Sequence, residues 1–274
     1  MSRQARLIAT LLAVVVLTPV AATTHAVPGV SATSAPPKCA YRDVLTAARR
    51  YDQWTHTLLD TIYMVPRAYA PGDLRSTGVS GGGLVRSFVV ADLRAMFAAA
   101  RSAGAPLTIR SSYRSYSNQV STFNGWVSRI GMASALLASA RPGHSEHQLG
   151  TTIDITSYGG KAPWDYADWG ATRAGAWMRN NAWRYGFVMS YPKGPSPSIT
   201  CYKYEPWHFR YVGKPTANAI RDSGLTSRQW FWNHPNGLVR PPAPPPPPAP
   251  PPPPPTVPPR AELQPRPSLA PGAT

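Results

Sequence analysis

The sequence predicts an α+β domain, on three observations. Short apolar runs bounded by turn residues, at Leu107–Arg110, Thr151–Thr156, Phe187–Ser190 and Trp207–Val212, read as strands. Segments of helical periodicity separate them, with no regular strand–helix–strand repeat, which argues against a wound parallel sheet. Residues 39–240 lie between two ends of different composition and are long enough for one substantial core.

Both ends stand apart from that domain. Residues 1–26 carry Arg3 and Arg6, then the apolar run Leu7–Ala22, then small residues up to Ala26. This is the layout of a secretory signal peptide, cleaved after Ala26 or Ala22. As a membrane anchor the run is short against the roughly 20 residues a span needs, and Pro19 interrupts it. Residues 27–38 read as a linker. Residues 241–274 are dominated by proline and predict an extended, solvated polyproline II arm, a spacer rather than a ligand for an aromatic groove. The expected product is a secreted or cell-wall-associated monomer with no stable membrane span after cleavage.

The net charge is +16, with Lys and Arg spread along the chain of 274 residues. No basic helix or aromatic-interleaved basic patch supports nucleic acid as a partner. For an exported protein the charge suits an anionic cell-wall polymer; a general basic bias explains it equally well. The two cysteines, Cys39 and Cys201, in an exported chain most simply form one disulfide. Closing so long a loop is worth ~4–5 kcal/mol in the chain-entropy model. A metal role for Cys201 is the weaker alternative.

In chain order, Val44, Leu45, Ala48, Tyr51 and Leu58 predict a helix over Ala40–Leu59. Met64–Asp73 is a proline-punctuated loop, and Ser80–Gly83 reads as a flexible surface turn. Val90, Leu93, Phe97 and Ala100 form a helical stripe stopped by Gly104. Strand Leu107–Arg110 then runs into the polar turn Ser111–Ser115 and a helix marked by Val120, Phe123, Val127 and Ile130. Arg114 and Gln119 fall at that junction, where side chains can face a cleft or solvent. Met132–Ala140 is a short helix. In the strand Thr151–Thr156, alternation puts Asp154 with Thr152, away from Ile153 and Ile155. Trp164 and Trp169 lie in an aromatic loop and read as core rather than a sugar-stacking platform, with Trp164 open to either role. A helix follows through Ala174, Trp177, Met178, Ala182 and Tyr185, closed by Gly186, and Tyr191–Thr200 is a loop. Glu205 has the wrong parity to join His208 in a regular strand, unless the chain bends at Pro206. Residues 215–222 and 227–232 read as closing helices or turns.

Of six histidines, His25 leaves with the signal segment, and His56 and His234 have no carboxylate nearby. His144, His147 and His208 remain. A catalytic zinc takes three protein ligands and keeps one position open; His147, Asp154 and His208 would supply two imidazoles and a carboxylate. A neighbouring carboxylate carries the proton of the attacking water, for which Glu146 and Glu205 both qualify. The role of steadying a developing oxyanion is open to Arg114. Spacing alone leaves open the plainer reading, that His147 and His208 are satisfied polar groups beside a sheet.

Three segments, in order, carry a family resemblance. Ser145-Glu146-His147-Gln148-Leu149-Gly150-Thr151-Thr152-Ile153-Asp154 resembles the S-x-H-x-x-G-x-A-x-D motif of the VanY-type zinc D-alanyl-D-alanine carboxypeptidases. Glu205-Pro206-Trp207-His208 is similar to their E-x-W-H, and Tyr113-Arg114-Ser115 with Gln119 to their Y-R-S-x-x-x-Q. The resemblance implies the Hedgehog/DD-peptidase fold, a single α+β domain whose small antiparallel sheet carries one zinc ion and is flanked by helices. It implies His147, Asp154 and His208 as zinc ligands, and Glu205 rather than Glu146 as general base and acid. Arg114 would stabilise the oxyanion or the peptide, with Ser145 and Gln119 as substrate contacts. Thr152 departs from the motif's alanine; it would orient Asp154 or narrow the pocket. The expected function is removal of the C-terminal D-alanine from peptidoglycan stem peptides. The alternatives are an endopeptidase of the same fold and a non-catalytic wall-binding module with a structural metal.

Overall fold

The computed structural model describes residues 34–46 and 57–234. The signal segment, most of the linker, the middle of the expected first helix and the proline arm lie outside the described residues. Chain contacts separate residues 1–239 from 240–274, and every described residue belongs to the first of these units.

Four strands make the central sheet: β5 (Leu107–Ser111), β6 (Thr152–Ser157), β7 (Phe187–Met189) and β8 (His208–Tyr211), in the order β5-β6-β8-β7 with every pair antiparallel. Ahead of it come β1 (Val44–Leu45) and β2 (Tyr63–Met64), paired in parallel, and the hairpin of β3 (Leu74–Ser76) and β4 (Leu84–Arg86). The helices are α1 (Val90–Ser102), α2 (Tyr116–Ile130), α3 (Met132–Ala138), α4 (Arg173–Asn181), α5 (Pro197–Thr200), α6 (Lys214–Ser223) and α7 (Ser227–Asn233).

Period-2 alternation divides the sheet by chemistry. Ile153, Ile155, Phe209 and Phe187 bury one face against Leu93, Met96, Phe97 and Ala100 of α1 and Ala174 and Met178 of α4, with Trp169 beneath. Each buried Leu, Ile, Met or Phe side chain is worth about 1.5–3 kcal/mol of transfer free energy, so this face holds the sheet in register. A second cluster packs Val188 and Val212 against Ala217 and Ile220 of α6 and Trp230 and Phe231 of α7. The opposite face of β6 and β8 carries Thr152, Asp154, His208 and Arg210.

Two expectations are corrected. Of the expected helix Ala40–Leu59, the described ends are not α-helical: Val44–Leu45 is a strand, whose Val44 N–H donates to the Ile62 carbonyl at 2.9 Å. A partner distant in sequence overrides the local helical spacing. The Ser80–Gly83 turn lies at the surface, as expected, and closes the β3–β4 hairpin, but it is held against β5, where the Ile109 N–H donates to the Ser80 carbonyl at 2.9 Å. At Gly81 an added Cβ would collide with the Ile109 carbonyl of β5, and at Gly83 with Ser112 Oγ. Smaller differences are the four-residue helix α5 inside the expected loop, capped by Ser196, and β8 starting at His208 because Trp207 belongs to a turn.

Candidate metal centre and groove

Register brings the first two functional side chains together. Asp154 of β6 pairs directly with His208 of β8, and cross-strand neighbours stand about 4.5–5.5 Å apart at Cβ. A bulge in β5 between Ile109 and Ser111 sets Ser111 opposite Asp154 and sends the chain off the sheet at Ser112. The 3-10 turn Glu146–Leu149 delivers His147. It is capped by Ser145 Oγ, which accepts the His147 N–H at 3.3 Å, and ends at Gly150 with φ +73°. An added Cβ at Gly150 would press on Arg86, Leu74 and Pro71 at 3.0–3.2 Å, so glycine suits both the backbone and the space. Pro206 makes the bend the sequence required: the His208 N–H donates to the Glu205 carbonyl at 3.1 Å, and Glu205 returns to the His208 side.

The resulting donor atoms of His147, Asp154 and His208 lie within 4.8 Å of one another, and all three residues are buried. His147 Nδ1 donates to the Ser112 carbonyl at 2.7 Å, leaving Nε2 3.1 Å from Asp154 Oδ2. His208 uses the other nitrogen: Nε2 donates to Glu146 Oε2 at 2.9 Å, and Nδ1 faces Asp154 Oδ1 at 3.2 Å and Glu205 Oε2 at 3.7 Å. His147 Nε2 and Asp154 Oδ1 are buried yet make no hydrogen bond, since their close neighbours are at ion-pair distance but misaligned. Buried polar atoms are almost always paired. Two orphans in a set of two imidazoles and a carboxylate fit a zinc ion.

The electrostatics separate the groups. Burial opposes ionisation of Asp154, but His147 and His208 outweigh it and hold its carboxyl well below the usual range. Burial, reinforced by the Arg114 charge, pushes His147 down to about 4, so its imidazole is neutral at pH 7. Burial would also lower His208, but the carboxylates of Asp154 and Glu146 close beside it raise it to about 10 in the metal-free site. Burial pushes Glu205 up to about 8 against the pull of His208.

An open groove of about 460 Å³ runs over this cluster. Arg114 borders it, its Nη2 4.0 Å from Asp154 Oδ2 and its Nε buried without a partner. Gln119 borders it as well; its Nε2 donates to the Ala140 carbonyl at 2.6 Å, and its buried Oε1 has no partner. Ser145 does too, but its Oγ already accepts the His147 N–H, so what it can offer a ligand is its O–H. Trp126, Trp164 and Trp207 form one wall by edge-on contacts at 5.9 and 6.2 Å, whereas Trp169 is fully buried in the core.

Cys39 and Cys201 are disulfide-bonded, with Cα atoms 5.4 Å apart, so Cys201 is no ligand. Both ring nitrogens of His144 are engaged away from the cluster, by the Asp60 carbonyl at 2.7 Å and Asp43 at 3.1 Å. Thr152 does neither thing expected of it: its Oγ1 is buried without a partner, so it does not orient Asp154, and it does not border the groove. The sequence reading missed Ser112, Ser190 and Arg210. Arg210 shares the His208 face of β8 by simple alternation, and that was the available signal.

A cluster of this composition on a small antiparallel sheet, under a groove with a further carboxylate beside it, is a candidate metal site with an acid–base group at hand. The family model of the VanY D-alanyl-D-alanine carboxypeptidases matches residues 83–214, and the chain belongs to that family. It is 39% identical over 181 residues to the carboxypeptidase-type protein YodJ of Bacillus subtilis (strain 168), covering 64% of this chain and 66% of that one. The match therefore spans just under two thirds of that relative. Among solved structures, the LdcB LD-carboxypeptidase is 38% identical with a TM-score of 0.58, covering 64% of this chain and 85% of that one. The vancomycin-resistance D,D-pentapeptidase VanY, in complex with Zn(II), is 29% identical with a TM-score of 0.55, covering 65% and 99%.

Proposed function

We propose that the chain is an exported zinc D-alanyl-D-alanine carboxypeptidase acting on peptidoglycan stem peptides. The convergence of His147, Asp154 and His208 within 4.8 Å, beside Glu205, carries the proposal. Residues 1–26 act as the signal segment, 27–38 as a linker, 39–240 as the peptidase and 241–274 as a proline arm. The disulfide suits an oxidising compartment. No helix among the described residues is long and apolar enough to cross a membrane. The net charge of +16 draws the protein toward anionic wall polymers.

His147, Asp154 and His208 would hold the zinc ion, which would supply Lewis-acid polarisation and water activation at neutral pH. Glu205 takes one proton from the water that attacks the penultimate carbonyl. As the C–N bond breaks, Glu205 returns that proton to the departing D-alanine nitrogen. Burial raises this carboxyl to about 8 in the metal-free site. The charge of a zinc ion beside it would draw it back down, toward the range that serves both halves of that task. Arg114, half-buried beside Asp154, steadies the charge growing on the carbonyl oxygen. The free Gln119 Oε1 accepts a substrate N–H, and Ser145 offers its O–H.

A second reading is an L,D-carboxypeptidase, in which the residue before the terminal D-alanine has L configuration. The greater likeness to LdcB, 38% against 29% identity for VanY, favours it. Incubating the zinc-loaded protein with pentapeptide and tetrapeptide stems, with and without chelator, separates the two by mass spectrometry. Loss of one D-alanine from the pentapeptide supports the D,D reading, and loss from the tetrapeptide alone the L,D reading. Internal fragments would point to an endopeptidase. No cleavage, with retention on sacculi, would point to a wall-binding module.

A further inference from the structure

We propose that Glu146 is the positioning residue for the His208 ligand, and that Arg210 and Ser190 hold it in place. The proposal rests on the zinc reading above. Glu146 precedes His147 in sequence and borders the groove, yet its carboxylate engages the other histidine. Oε2 faces His208 Nε2 at 2.9 Å and accepts the Ser190 hydroxyl at 2.6 Å. Oε1 accepts from Arg210 Nη1 at 2.9 Å. Arg210 is fully buried, donates through Nη2 to the Thr57 carbonyl at 2.7 Å, and lies over the Phe231 ring at 4.4 Å.

A carboxylate on Nε2 keeps a proton there and leaves the Nδ1 lone pair directed at Asp154 and the groove. The same carboxylate makes the imidazole a stronger donor to a metal. His147 is fixed by a neutral carbonyl on its Nδ1. The two histidines are therefore presented through opposite nitrogens, with the charged support on His208 alone. Arg210 balances the carboxylate and, fixed by Thr57 and Phe231, prevents it from swinging to another partner.

The test begins with the zinc-loaded wild-type chain and its histidine ring ¹H–¹⁵N spectrum. Expected are His208 coordinated through Nδ1 and a slowly exchanging Nε2–H; coordination through Nε2, or a freely exchanging Nε2–H, overturns the proposal. Zinc affinity is then measured by competition with a chromogenic chelator for the wild type, Glu146→Gln and Glu146→Gln/Arg210→Met. The double variant removes the buried cation that the single one leaves without its carboxylate. Affinity falling about 10–100-fold in whichever variants fold, with substrate KM unchanged at saturating zinc, is the expected result. Wild-type affinity in a folded variant overturns the proposal. A wild-type protein that binds no zinc removes the reading beneath it, and that outcome is separately visible.

Discussion

Replacing Cys39 and Cys201 together by serine releases a cross-link between residues 162 apart in sequence. In the chain-entropy model that loop corresponds to about 5 kcal/mol at 25 °C. Domains of this kind are stable by about 5–15 kcal/mol in total, so the loss is a third of the stability at least. With a urea dependence of about 1–3 kcal/mol per molar, the unfolding midpoint is expected to drop by about 2 M. The bond also has a local consequence. Cys201 ends α5 with φ +67°, and the segment from there to Glu205 lies alongside Tyr191, whose carbonyl accepts the Glu205 N–H at 3.1 Å. Activity at 25 °C is therefore expected to fall before global unfolding sets in. Urea titrations by circular dichroism on oxidised wild type and the double variant are the assay, with peptide hydrolysis followed in parallel. Midpoints that coincide within about 0.3 M would refute the reasoning.

Three further outcomes follow from the site. Glu205→Gln should retain zinc, because Glu205 lies outside the ligand set, while kcat falls at least about 100-fold; hydrolysis at the wild-type rate would remove Glu205 from the mechanism. In the metal-free protein Glu205 holds its proton up to about 8, against an ordinary value of 4.5. The folded state thus binds more protons than the unfolded one across that interval, and stability falls as pH rises from about 5 to 8. Melting temperatures of chelator-treated wild type should show that decline, and Glu205→Gln a flatter curve; parallel curves would exclude Glu205 as its source. Thr152→Val replaces an unpartnered buried hydroxyl by a methyl group of similar shape. Stability should stay level or rise by up to about 1 kcal/mol, with substrate turnover unchanged; a loss above about 1 kcal/mol would mean the hydroxyl is bonded after all.

What could be read in the sequence is what local chemistry encodes. The stripe of Leu93, Phe97 and Ala100 gave α1, β-branched alternation gave β6, and Gly186 marked the end of the turn after α4. Parity separated Asp154 from Ile153, and the proline in Glu205–His208 announced the bend that the structure contains. What stayed hidden depends on partners far along the chain. The pairing of Val44 with Tyr63 defeated a helical pattern, and the short strands β3 and β4 carry too few residues for a period. The direct Asp154–His208 pairing is a matter of register, which alternation narrows to a face but not to a partner. Thr152 misled for a related reason. Its face could be inferred, but how far the groove extends along that face is decided by what packs over it.

The three carboxylates around His208 show how one small volume supports different chemistry. Asp154 lies between two imidazoles and stays ionised well below the usual range. Glu146 is equally buried, but Arg210 and His208 overcome the cost and bring it down to about 2. A group that loses its proton so readily, with both oxygens committed to Ser190, His208 and Arg210, is poorly suited to carry one between water and a leaving amine. Glu205 has burial without a committed cation, since His208 Nδ1 is 3.7 Å away, and its pKa moves the other way, to about 8. Environments that drive neighbouring acids apart are how an active site assigns an acid–base role to one and a structural role to the other. Sequence offered Glu146 and Glu205 as equal candidates on residue type. The difference between them comes from Arg210, which shares a strand face with His208 and neutralises one of the two.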